Sequence, residues 1–158
     1  MDEGKCNEEY AETFRHELGH FVDAQLGRPS LEENFEYAIE ADMYWFNSST
    51  NDGITNKKNM LLDLSSSEVI GNRYISGILS GLFLNDTVVR KTYYEAGASY
   101  YCHKNEYWFE ITGPKKAVER EVFANLFAIY AENDKMTVKF IEKWFPNMAK
   151  RFLKDISK

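Results

Sequence analysis

The chain has 158 residues, 18.4 kDa, 44% hydrophobic and 15% aromatic content, which is enough for one globular domain with a buried core. A formal charge of −6 and a pI near 5.2 argue against general nucleic-acid binding, which needs a basic surface. No apolar run reaches membrane-spanning length, and the opening MDEGKCNEE is polar and acidic rather than a signal peptide.

The first predicted helix runs from about Glu8 to Leu26, with Asn7 as N-cap and Gly27 and Pro29 as its stop. A second opens at Ser30, where Ser30 to Glu33 fits an S-x-x-E capping box, and continues toward Phe46. Residues 47–59, dense in turn formers, read as an exposed loop. A third helix is expected over Ser67 to Leu84 on the spacing of Ile70, Tyr74, Ile78, Leu79 and Phe83. Its glycines Gly71, Gly77 and Gly81 weaken the helix but permit close packing. From Thr92 to Ile111 the aromatic alternation in TYYEAGASYYCHKNEYWFEI points to short antiparallel strands. Gly113-Pro114 leads into an apolar helix over about Ala117 to Ala131, and a last helix spans Thr137 to Ile156 with a break near Pro146. The expected class is α+β, mainly helical, with a small antiparallel β element at 92–111.

Within the first helix, His16-Glu17-Leu18-Gly19-His20 matches H-E-x-x-H. Histidines four apart project from one helical face and can share a tetrahedral zinc ion. At about 100° per residue, Phe14, Leu18, Phe21 and Gln25 fall on the opposite arc, so the expected core contact is on that side. Glu17 lies between the two faces, within reach of a water on the metal. A catalytic zinc site needs a third protein ligand. Glu121 begins the apolar run of VEREVFANLFAIYAEN, where a partly buried carboxylate requires a partner; Glu119, two residues away on another face, is its rival. Cys6 and Cys102 are too few for a disulfide framework and too far apart for a CxxC motif. One bridge and two free thiols both remain open, and free thiols point to the cytoplasm.

HELGH followed downstream by EVFANLFA (Glu121 to Ala128) resembles the gluzincin pattern of zinc metallopeptidases. The chain is similar to the peptidase-like domain of phage minor head (head morphogenesis) proteins and to the catalytic domain of anthrax lethal factor. Asp23 in HELGHFVD, the stretch EVIGNRYISGILSGLF, His103 to Trp108 and the closing KFIEKWFPNMAKRFLK extend the likeness over most of the chain. The resemblance implies one zincin-like domain over residues 1–158 with Zn2+ as cofactor. It makes His16, His20 and Glu121 the ligands, Glu17 the general base, and Asp23 the group that holds a histidine N–H. Tyr107, with His103 second, becomes the donor toward a developing oxyanion. It also implies a protein or peptide substrate, phage structural proteins as partners, and a cytoplasmic or virion-associated setting. The alternative is a non-catalytic head-assembly module that keeps the scaffold; a secreted effector peptidase is a third reading. Zincins usually place a β-sheet ahead of the HExxH helix. Here either the chain is a piece of a longer one, or the strands expected at 92–111 substitute.

Overall fold

The computed structural model describes residues 3–47 and 49–157, with side chains from residue 9 onward. Nine α-helices follow one another among them: α1 (Glu3–Gln25), α2 (Glu33–Tyr44), α3 (Asn51–Ser65), α4 (Arg73–Leu82), α5 (Thr87–Glu95), α6 (Asn105–Trp108), α7 (Ala117–Glu132), α8 (Lys135–Trp144) and α9 (Pro146–Ile156). Short 3-10 turns at Pro29–Leu31 and Glu68–Gly71 precede α2 and α4. The described chain is 75% helical and contains no strand, so the fold is all-helical and the α+β expectation is corrected.

The error lies in the segment 92–111. Asp86 caps α5 by accepting from the N–H groups of Val88 and Val89, and Val89 and Tyr93, four apart, bury one helical face. The aromatic run therefore continues a helix that Asp86 had already nucleated. Tyr101 follows in a non-helical stretch, but its N–H is accepted by the Ser76 hydroxyl of α4 (2.9 Å) instead of a neighbouring strand. One side chain thus replaces a ladder, and a lone pair of strands would be marginal in any case.

The expected loop at 47–59 is mostly α3. Thr50 caps it, its hydroxyl accepting from Gly53 N–H at 3.0 Å. Gly53 is required there, because a Cβ would collide with the Asn47 backbone. Ser30 does not cap α2: its hydroxyl and its N–H both go to Asp23, and α2 starts three residues later. α4 begins at Arg73 rather than Ser67, with Asn72 accepting from the N–H groups of Tyr74 and Ile75. The side chains of Cys6 and Asn7 lie outside the described ones; Cys102 is an exposed free thiol.

α7 is the central element, packed against α1 and α4, while α2 and α9 cover one another nearby. Phe123 of α7 sits between Phe35 of α2 and Phe152 of α9, with ring centroids 5.7 and 5.0 Å away. All three rings are fully buried, each contributing about 1.5–3 kcal/mol of apolar burial. The α9 N-terminus is fixed from a distance: Asp42 of α2 accepts from the N–H groups of Asn147 and Met148 (3.1 and 2.8 Å). This core holds α7 rigid, and α7 carries the carboxylate that matters below.

Candidate metal centre

α1 meets α7 through Gly19, which is buried against Ala124. On the other flank, Gly77 of α4 leaves room for Asn125, since a Cβ there would stand 2.9 Å from its Nδ2. Tyr74 of α4 donates to the Glu12 carbonyl of α1 at 3.0 Å, and Arg73 to the Thr13 hydroxyl at 3.2 Å. These contacts seat α1 with its histidine arc toward the protein. Phe14 and Phe21, expected in the core, are 67% and 58% exposed. The arc carrying Gly19 and Asp23 takes the interior because only glycine lets two helix backbones touch.

The seating brings His16, His20 and Glu121 together, their ligand atoms within 4.8 Å of one another. His16 Nε2 is 3.1 Å from one Glu121 oxygen and His20 Nε2 3.4 Å from the other. Both separations exceed the ~2.7–2.9 Å of a charge-assisted hydrogen bond. They bracket the ~3.3 Å edge of a tetrahedron whose ligand bonds are ~2.0–2.1 Å. Two imidazoles and a carboxylate form a donor set that fits a divalent metal ion.

Glu121 is 4% exposed. Burial alone would push its carboxyl up, yet donors from His103, His16, His20 and Tyr107 together hold it far below the usual carboxylate range. Burial likewise works against a charged His16, but Glu121 outweighs it and the imidazole pKa is raised. The Tyr107 hydroxyl donates to Glu121 at 2.5 Å, and burial together with that carboxylate raises its pKa, so it stays a donor.

His16 Nδ1 faces Asn125 Oδ1 at 3.0 Å, while Asn125 Nδ2 donates to the Glu121 carbonyl at 2.9 Å. That orientation makes Nδ1 the protonated nitrogen and leaves Nε2 free to ligate. Asn125 thus does for His16 what was expected of Asp23, whose carboxylate is taken by Ser30. The signal was available in the spacing: Glu121 and Asn125, four apart, share one face of α7. His20 Nδ1 is buried with no hydrogen-bond partner among the described residues. Glu119 sits outside the group; burial raises its pKa, and its charged neighbours are Glu36, Lys116 and Glu110.

Glu17 is exposed at the edge of a cleft of about 290 Å³, together with His16, Arg73, His103 and Glu121. The ring of His103 is stacked on that of Tyr107, with centroids 3.9 Å apart. Every expected site residue except Asp23 therefore borders this cleft or the Glu121 carboxylate. A larger, mostly apolar groove of about 690 Å³ between α3 and α5 lies away from this chemistry.

Comparison with protein-family models, with curated proteins and with solved structures finds no match for this chain. Among the described residues, no helix is long and apolar enough to cross a membrane.

Proposed function

We propose that this chain is a zinc-dependent metallopeptidase domain that hydrolyses a peptide bond in a protein substrate. The observation that carries the reading is the convergence of His16, His20 and the buried Glu121, with Glu17 at the mouth of the same cleft. Two imidazoles and one carboxylate are the ligand set of a zinc site that keeps a position for substrate.

A zinc ion held there would polarise the scissile carbonyl and lower the pKa of the attacking water toward about 7. Glu17 accepts that water's proton on its carboxylate and delivers it to the leaving amine nitrogen. Tyr107, kept protonated beside Glu121, would transfer its single O–H hydrogen bond from that carboxylate to the oxyanion as it develops. Asn125 holds His16 in the ligating tautomer. The likeness to phage minor head proteins suggests phage structural proteins as partners and a cytoplasmic or virion-associated setting.

The non-catalytic reading draws on a different observation. Tyr10, Phe14 and Phe21 stand exposed on α1, as a contact surface would. Metal analysis and proteolysis separate the two. About one zinc per chain is expected, lost in His20→Ala and Glu121→Ala and kept in Glu17→Gln. Glu17→Gln should lower peptide hydrolysis by about 10²–10⁴-fold. Unchanged zinc in all three variants ends the site assignment. Full zinc with no hydrolysis by the wild type in a proteome-derived peptide library favours the assembly module.

A further inference from the structure

Arg73, the first residue of α4, is the only lysine or arginine among the described residues that border the cleft of His16, Glu17 and Glu121. Its guanidinium is held from one side. Nη1 donates to the Thr13 hydroxyl at 3.2 Å and stands 3.6 Å from Glu12, too far for a good hydrogen bond. Thr13 is set to accept, because its own O–H goes to the Glu9 carbonyl at 3.0 Å. The Tyr101 ring supports the guanidinium at 4.9 Å, and the Ser76 hydroxyl fixes Tyr101 by accepting its N–H. The other edge of the fork, Nε and Nη2, has no hydrogen-bond partner among the described residues. Two parallel N–H groups on that edge match the two oxygens of a carboxylate.

We propose that Arg73 sets the substrate class by binding a carboxylate of the peptide within two residues of the scissile bond. That carboxylate is an Asp or Glu side chain or the substrate C-terminus. The inference rests on the peptidase reading above and deepens it. Its placement follows from α1. Thr13, His16 and Glu17 are three and four residues apart, so they share one helical face. Thr13, with the guanidinium bound to it, therefore stands about one turn, ~5.4 Å, from His16 and Glu17. An extended peptide advances ~3.3 Å per residue. A carboxylate at Arg73 thus belongs to the first or second residue from the bond being cut. Glu12 faces Nη1 and leaves the Nε–Nη2 edge to the substrate. An amide in place of the carboxylate has no charge and offers one acceptor oxygen where the fork has two N–H groups, so the site discriminates acid from amide.

The full chain, supplied with zinc as a simple salt, is given a proteome-derived peptide library, and the cut sites are read by mass spectrometry. Asp, Glu or a free C-terminus should be enriched within two residues of the cut. C-terminally amidated copies of the best substrates separate the two sources. For a matched pair that differs only in this carboxylate, kcat/KM should favour the acid over the amide by about 10–100-fold. Arg73→Gln should abolish that preference, chiefly through KM, and Arg73→Lys should restore part of it. Arg73 also helps to seat α1, so the decisive quantity is the acid-to-amide ratio within each variant, which a shifted helix does not change selectively. Zinc stoichiometry checks the seating. Binding of the same pair to zinc-loaded Glu17→Gln should show the same preference for the acid. No enrichment at wild-type cut sites, or a ratio that survives Arg73→Gln, overturns the assignment and leaves the peptidase reading standing. A wild type that holds zinc and cuts no peptide ends that reading, and this inference with it.

Discussion

A Cβ on Gly19 would lie 2.7 Å from both the Cα and the carbonyl oxygen of Ala124. α1 and α7 therefore touch backbone to backbone at the level of the two histidines. In a free helix, alanine at this position would gain up to about 1 kcal/mol over glycine. Here Gly19→Ala should instead cost about 1–3 kcal/mol, because neither helix backbone can yield cheaply. It should also move Glu121 away from His16 and His20 and weaken zinc binding by more than about tenfold. Urea unfolding and a zinc titration on the same preparation check both effects. A stabilised variant with intact zinc affinity would show that the two helices are not in this contact.

Asn125 supplies the second prediction. Its amide nitrogen donates to the Glu121 main-chain carbonyl on α7, which fixes its oxygen toward His16 on α1, so the one side chain orients the His16 imidazole. Asn125→Leu fills similar volume but removes the acceptor for His16 Nδ1–H. Zinc affinity should fall by about 10–100-fold, the usual effect of losing a partner behind a ligating histidine. Glu17→Gln, which keeps every ligand contact, should leave affinity unchanged. Equal zinc affinity for Asn125→Leu and wild type would remove Asn125 from the site.

The metal-free protein should respond to pH in a definite direction. The folded pKa of Glu121 is depressed, so its contribution is present above the unfolded carboxyl value of about 4.3 and is lost as pH falls through the folded one. The folded pKa of His16 is raised, so its contribution is fully present below about 6.5 and is lost as pH rises through the folded value. Together they support the metal-free fold best between those two pH values. Zinc competes with protons for the same nitrogen, so its stabilising effect should grow as pH rises from about 5.5 to 8. Thermal melts in EDTA and in excess zinc measure both trends, and His16→Gln isolates the contribution of this pair. A zinc-induced shift in Tm that shrinks with rising pH contradicts the scheme.

The elements that carry the His16–His20–Glu121 group were legible because their signals are local. HELGH fixes two histidines four apart on α1, and α7 shows itself as an apolar run with one carboxylate inside it. The break at Pro146 was equally plain, since proline cannot continue a helix without cost. What misled were features whose meaning depends on partners distant in sequence. Tyr93 and Tyr100 read as strand aromatics, yet their rings meet at 5.0 Å because α5 ends and the chain doubles back. Ser30 looked like a helix cap until Asp23, seven residues earlier, claimed its hydroxyl. Asn51 to Asn59 carry poor helix formers, and Thr50 capping with a glycine at the crowded turn outweighed them. His103 was brought near the site only by the resemblance, because irregular backbone rather than helical spacing aims that ring at Glu121.

The inverted seating of α1 gives the last prediction. Apolar periodicity placed Phe14 and Phe21 in the core, but close packing at Gly19 turned the opposite arc inward and left both rings in solvent. If so, Phe14→Ser and Phe21→Ser remove little burial and should each change stability by no more than about 0.5 kcal/mol. Phe123→Ala is the contrast. That ring is fully buried between Phe35 and Phe152, so its loss should cost about 3–5 kcal/mol through the cavity it leaves. Denaturant midpoints for the three variants decide the matter. A cost of several kcal/mol at Phe14 or Phe21 would mean that α1 buries its aromatic face, and would turn the histidines outward, away from Glu121. The cost of replacing two surface phenylalanines is thus a test of the candidate metal centre that needs no metal.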